Sequence, residues 1–410
     1  MKKFSLIDLV VEEVELPNGL KAYLVPTTNT SSYHISYVSR YGSLNTRIND
    51  KIYPTGCAHF LEHKMFSMRD NSNPFKFFHD SSSECNAYTS RDRTVYYVIG
   101  NKCFNENLEY LIKMVDDLYI NDADVEKEKG IILEEATRDY DNPLYGYFEM
   151  IKNASINNSL FREEVIGSID DIKRIDVNTL EEIYKAGYNP SNMFIVITGN
   201  FDKMQAIDII KNTAVKENIN NSFTLPIEEE NIISTNNYYK KDLGINYINF
   251  TIKSSISRFS YRGYELLYLI SLYLELVLSI NNINVHNMKE NREIDDISYN
   301  FYIESNILYI EVYVICKNIY KLTDKIKELF NYELKQEDFN RVNKIDIANF
   351  VRYRDNYSYL NRMIVSDLIK YDKIIYDKVD IIRNLKMDDL KKVVNSINFN
   401  NVSINYLVKE

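Results

Sequence analysis

The segment Asn189-Pro-Ser-Asn-Met-Phe-Ile-Val-Ile-Thr198 is echoed near the other end of the chain by Asn398-Phe-Asn-Asn-Val-Ser-Ile-Asn-Tyr-Leu-Val408. The offset is about half of the 410 residues, which suggests two copies of one α+β unit in tandem. Length agrees, because a chain of this size buries more core than one ordinary domain uses. Between the copies runs a polar stretch from Val215 to Ser234, with Pro226 in it and the composition of a linker. The expected organisation is an N-terminal domain over 1–215, a linker over 216–234 and a structurally similar C-terminal domain over 235–410.

Local patterns fill in the first copy. Val10 to Leu16 and Leu20 to Val25 have strand-like alternation around Pro17-Asn18-Gly19, a hairpin signal. Tyr33 to Arg40 reads as another strand, and Ala87 to Gly100, rich in Tyr, Thr and Val, as a further one. The period changes to helical at Thr55 to Met68, where Phe60, Leu61 and Phe66 supply the apolar positions. Asn107 to Leu118, Val125 to Tyr140, Leu180 to Ala186 and Asp202 to Asn212 read as helices around a strand at Asn192 to Thr198. The longest apolar run, Tyr264 to Ile280, carries Glu265 and Glu275 and falls short of the roughly 20 residues a membrane span needs, so it reads as a buried helix.

Composition narrows the function classes. With 49 Lys and Arg against 59 Asp and Glu the formal charge is −10, which argues against a nucleic-acid protein held by phosphate contacts. The four cysteines, Cys57, Cys85, Cys103 and Cys316, form neither a dense framework nor a CxxC pair and suit a reducing cytoplasm. Near the N-terminus, Asp8, Glu12 and Glu13 interrupt any signal-peptide core, so secretion is not expected.

Against this background His59-Phe60-Leu61-Glu62-His63 is the motif that carries chemistry. Residues four apart share a helix face, so the two imidazoles can reach one ion. A catalytic zinc takes three protein ligands and leaves the fourth position to water, and a carboxylate is a usual third ligand. Glu62 projects near the same face as a general base for that water, the arrangement of metal-assisted amide hydrolysis. The other histidines, His34, His79 and His286, lack ligand spacing and read as surface or core residues.

The run Gly56-Cys-Ala-His-Phe-Leu-Glu-His-Lys-Met-Phe66 resembles the active-site helix of the insulinase/pitrilysin metallopeptidase family, which includes the mitochondrial processing peptidase. Cys85-Asn-Ala-Tyr-Thr-Ser90, followed by Thr94 and Tyr96, resembles the strand that pairs with extended substrate, which implies a substrate role for Asn86, Ala87 and Thr89. Glu128-Lys-Gly-Ile-Ile-Leu-Glu-Glu135 resembles the helix that brings the third ligand: by that match Glu135 is the ligand and Glu128 the supporting acid. Glu134 competes, but Glu128, two turns earlier, shares the face of Glu135 and not of Glu134. Arg292 and Tyr299 are similar to the family's substrate-holding arginine and tyrosine, although the glycine usually found between them is missing.

The resemblance implies two similar α+β domains, each an antiparallel sheet with helices on one side, and one zinc ion per chain, with manganese or cobalt suited to the same ligands. It also implies a half-unit that pairs as a homodimer or heterodimer to enclose peptide substrate. The expected function is a cytoplasmic zinc endopeptidase. Two alternatives stand beside it: a catalytically silent peptide-binding or scaffold subunit, and a maturation peptidase dedicated to one precursor.

Overall fold

The computed structural model describes residues 2–4, 9–219, 221–319, 322–352 and 356–409. In the first half the strands are β1 (Lys2–Lys3), β2 (Val10–Glu15), β3 (Lys21–Pro26), β4 (Tyr33–Ser39), the short pair β5 (Arg47–Ile48) and β6 (Lys51–Ile52), β7 (Glu84–Thr89), β8 (Thr94–Gly100) and β9 (Met193–Gly199). The second half holds β10 (Asn237–Lys240), β11 (Asn246–Ser255), β12 (Asp296–Glu304), β13 (Ile307–Cys316) and β14 (Val402–Val408).

The tandem repeat is visible in topology. The first sheet runs β1-β2-β3-β9-β4-β8-β7 and the second β10-β14-β11-β13-β12. The echoed segments form β9 and β14, each lying between a parallel neighbour, β3 or β10, and an antiparallel one, β4 or β11. The sheets are therefore mixed rather than wholly antiparallel. In the first, β9 returns to β3 only after the intervening helices, the long crossover that parallel pairing requires.

The compact units are not contiguous halves. One comprises 1–138, 163–225 and 349–377; the other comprises 139–162, 226–348 and 378–410. Each sheet thus receives a helix from the other half of the chain: Tyr357–Tyr371 packs on the first, Tyr145–Ser155 on the second. Side chains of β4 alternate between faces. Tyr33, Ile35 and Tyr37 enter the main core, with the Tyr37 hydroxyl donating to Asp116 on the Phe104–Asp116 helix. His34 and Ser36 point the other way: Ser36 Oγ donates to Asn361 Oδ1 at 2.6 Å, while Asn361 Nδ2 donates to the His34 and Val196 carbonyls. On the second sheet, Tyr147 of the incoming helix donates to the Asn405 carbonyl at 3.0 Å. Helices therefore cover both faces of each sheet, correcting the expectation of one. Local sequence gives no sign of these contacts, because Ser36 and Asn361, like Tyr147 and Asn405, are more than two hundred residues apart.

The polar stretch at 216–234 is divided between the units at 225/226. Phe223 bridges to Ile48 in the first unit. In the second, Glu228 is fully buried against Lys253, with Nζ to Oε1 at 2.7 Å, and accepts from the amides of Asn157 and Asn158. Tyr264 to Ile280 is represented by the helix Gly263–Leu278, whose apolar residues fill the second core. Among the described residues no single helix is long and apolar enough to cross a membrane; that helix together with Ile283–Glu290 passes by length and composition only as a pair bent by 41°.

Candidate active site

The site helix is Cys57–Lys64, shorter than the pattern at 55–68 suggests. Its start is fixed by backbone: Gly56 has φ +85, and a Cβ there would strike the Ile166 carbonyl, so only glycine fits without strain. Asp171 accepts from both the amide and the hydroxyl of Thr55, at 2.9 and 2.6 Å. Phe60 and Leu61 sink into the core and leave His59, Glu62 and His63 half-buried on the opposite side.

The helix Asp122–Tyr140 supplies the acids. Glu135 Oε2 lies 4.0 Å from His59 Nε2 and 3.8 Å from His63 Nε2, and one donor atom from each of the three side chains falls within 4.8 Å of the others. Bonds of 2.0–2.2 Å at tetrahedral angles need edges of ~3.4 Å, so this cluster is slightly wider than a closed zinc site and matches its donor chemistry. Glu134, the competitor, is exposed and outside the cluster.

Around these donors the electrostatics are uneven. His63 Nδ1 donates to Glu128 Oε1 at 3.0 Å, which raises the proton affinity of the imidazole and holds the Glu128 carboxyl below its ordinary range. Burial, with the neighbouring His63, pushes His59 down to about 4, so it is neutral at pH 7, the form of imidazole that can bind a metal. Its Nδ1 is buried and has no hydrogen-bond partner among the described residues. Glu62 is raised by burial, partly opposed by the Thr89 hydroxyl, which donates to its Oε2 at 2.6 Å.

Thr89 closes β7, the edge strand of the sheet. The run Ala87 to Gly100, expected as one strand, is a hairpin of β7 and β8 broken at Ser90-Arg91-Asp92-Arg93. Asn86 is exposed and turned onto the Ala87 amide at 2.8 Å; Ala87 packs on the core. In the second unit, Arg292 is exposed at the left-handed position after the Ile283–Glu290 helix, with φ 57, where glycine or asparagine is usual. Tyr299, on the edge strand β12, donates to Glu275 Oε2 at 3.0 Å and packs on the second core. Sequence reasoning missed Lys64, whose buried ammonium lies 3.6 Å from Glu128 Oε2; a lysine next to a motif histidine carries no signal of its own until the fold shows where it points.

Residues 29–169 match the model of the insulinase family, peptidase family M16. That match covers about a third of the chain, and within it the chain is similar to insulinase-family peptidases. It is 34% identical over 210 residues to the uncharacterized zinc protease YmfH of Bacillus subtilis, covering 50% of this chain and 49% of that one. It is 28% identical over 194 residues to the mitochondrial-processing peptidase subunit beta of Caenorhabditis elegans, covering 45% and 40%. These matches span about half or less of the two relatives' own length. In fold, the chain is similar to the crystal structure of a putative M16-like peptidase from Alicyclobacillus acidocaldarius, with TM-score 0.89 at 20% identity over 98% of this chain and 99% of the other. The insulinase-family match spans the site helix and both acids from the Asp122–Tyr140 helix.

Proposed function

We propose that the chain is a zinc-dependent endopeptidase that hydrolyses peptides or unfolded precursor segments, with Glu62 as general base. The observation that carries this reading is the convergence of His59, His63 and Glu135 on one small volume beside Glu62. The two imidazoles and the carboxylate would hold one zinc ion, whose contribution when bound is Lewis acidity toward the scissile carbonyl and a water of lowered pKa.

The chain's own groups do the remaining work. Glu62 takes a proton from the attacking water and returns it to the leaving amine, and its burial-raised proton affinity suits both transfers. Thr89 holds that carboxylate in place. The free edge of β7 offers main-chain hydrogen bonds to an extended peptide, with Asn86 and Ala87 beneath it, a mode tolerant of sequence. Arg292 is exposed and would hold substrate, whereas Tyr299 would take that role only by giving up Glu275.

The proposal extends to pairing with a second copy or another family member, which would close a chamber around the peptide. It is supported by a relative that is itself named a subunit. It extends also to the cytoplasm, in keeping with four free cysteines, three of them buried.

The test is cleavage of a mixed, internally quenched peptide library, with bound zinc measured in parallel. Wild type is expected to cleave, chelation to abolish cleavage, and Glu62→Gln to keep zinc while losing activity. Zinc without cleavage by the lone chain favours an obligatory partner or a silent binding subunit, and a chain that takes up no metal defeats the reading.

A further inference from the structure

The last residue of the site helix, Lys64, has a side chain only 4% exposed. A buried ammonium is costly unless paired, and its ion pair is with Glu128 Oε2 at 3.6 Å. The other oxygen of that carboxylate is the one that accepts from His63 Nδ1 at 3.0 Å. Consecutive helix residues diverge by about 100°, so His63 and Lys64 look in different directions and the carboxylate sits in the angle between them, one oxygen to each.

We propose that Lys64 is a positioning residue: by holding the second oxygen of Glu128 it fixes the first on His63 Nδ1, and so aims His63 Nε2 at the metal-binding volume shared with Glu135. The inference rests on the zinc reading above and goes beyond it.

Two observations favour positioning over simple packing. A long apolar side chain would fill the same space, and replacing a buried ion pair by apolar groups is often neutral or stabilising, so stability alone gives little reason for a charge here. The two histidines are also supported unequally: His59 Nδ1 has no partner among the described residues, whereas His63 Nδ1 is held by Glu128. Outer partners of metal-bound histidine set ring orientation, and losing one typically costs ~10- to 100-fold in metal affinity. Lys64 is one step further out and acts through Glu128.

The experiment compares wild type, Lys64→Met, Lys64→Arg, Glu128→Gln and the Lys64→Met/Glu128→Gln double variant. Zinc affinity is read by chelator competition, and the His63 Nδ1–H resonance is read in zinc-loaded, histidine-labelled protein. Lys64→Met is expected to weaken zinc roughly 10-fold or more, and its Nδ1–H signal to move upfield and exchange faster. Lys64→Arg, which keeps the charge, should bind zinc within a few-fold of wild type. The double variant should be no weaker than Glu128→Gln alone, since both changes break one arm.

Zinc binding by Lys64→Met equal to wild type, or losses that add in the double variant, overturn the positioning role and leave the zinc reading intact. A wild type that binds no zinc overturns both. Should Lys64→Met not fold, the cycle is run with Lys64→Gln. The wild-type spectrum then also decides, because a His63 Nδ1–H in free exchange with solvent overturns the proposal.

Discussion

The second sheet repeats the order of five strands of the first, β3-β9-β4-β8-β7, and in each an edge strand pairs with a glutamate from a helix that precedes it in the chain. In the first unit Glu62 of Cys57–Lys64 accepts from Thr89 on β7; in the second Glu275 of Gly263–Leu278 accepts from Tyr299 on β12. The local sequences align as His59-Phe-Leu-Glu-His63 and Leu272-Tyr-Leu-Glu-Leu276. Where the first has imidazoles, the second has leucines, both buried. The hydroxyl–carboxylate bond is common to both copies of the fold. What sets the first apart is two imidazoles on the same helix face and a carboxylate from Asp122–Tyr140 close to both.

The sharpest way to break that contrast is to remove the same carboxylate from each copy. Glu62→Gln should lower kcat by ~10²- to 10⁴-fold, the usual worth of a general base, with zinc content unchanged. Glu275→Gln should leave kcat within a few-fold and show itself in thermal stability. Peptide hydrolysis by the two purified variants decides the matter, and equal losses would mean that the leucine-flanked copy also takes part in the chemistry. Next in size is the proposed third ligand: Glu135→Gln should weaken zinc binding by more than the ~10- to 100-fold of an outer partner, while its exposed neighbour Glu134→Gln should leave it unchanged. Chelator competition on both variants separates the two glutamates.

How far the sequence carried depended on the range of the interaction. The histidine motif was legible because helical spacing is local, and Glu135 followed from a resemblance plus the face it shares with Glu128. The hairpin of β7 and β8 reads in sequence as one strand because Ser90-Arg91-Asp92-Arg93 lacks the glycine or asparagine that marks a tight turn. The exchanged helices were invisible, since Asn361 meets the His34 carbonyl across 327 residues. Glu228 lies in the stretch whose composition reads as a linker; its partner Lys253 gives no sign in sequence that it is buried.

The interiors of the units also differ in charge, and pH exposes the difference. In the first, burial pushes Asp116 from 3.8 up to about 6, and its Oδ2 has no hydrogen-bond partner among the described residues. A raised folded pKa means a contribution fully present below the unfolded value and lost as pH rises through about 6, on the order of 2 to 3 kcal/mol. In the second, burial alone would raise Glu228, but Lys253 and two backbone amides outweigh it and hold the carboxyl below its ordinary value. Its contribution is present above the unfolded pKa and is lost as pH falls through the folded one. Asp116→Asn is therefore expected to raise the melting temperature more at pH 7.5 than at pH 4. A shift that is the same at both would remove Asp116 from the account.

The smallest effect tests whether the shared hydrogen bond has been turned to different ends. Thr89→Val keeps the shape of the side chain and removes the donor from Glu62; Tyr299→Phe does the same to Glu275. A hydrogen bond to a charged group is worth about 1.5–3 kcal/mol when buried and less where solvent enters, and both carboxylates are only partly covered. In the first unit the loss should fall on orientation of the base, lowering kcat severalfold with KM little changed, because a free carboxylate spends less time facing the water it must deprotonate. In the second unit the loss should appear as about 1 kcal/mol of stability with kcat unmoved. If Tyr299→Phe instead raises KM, its hydroxyl leaves Glu275 for the substrate, and the likeness between the two copies ends at the strand order.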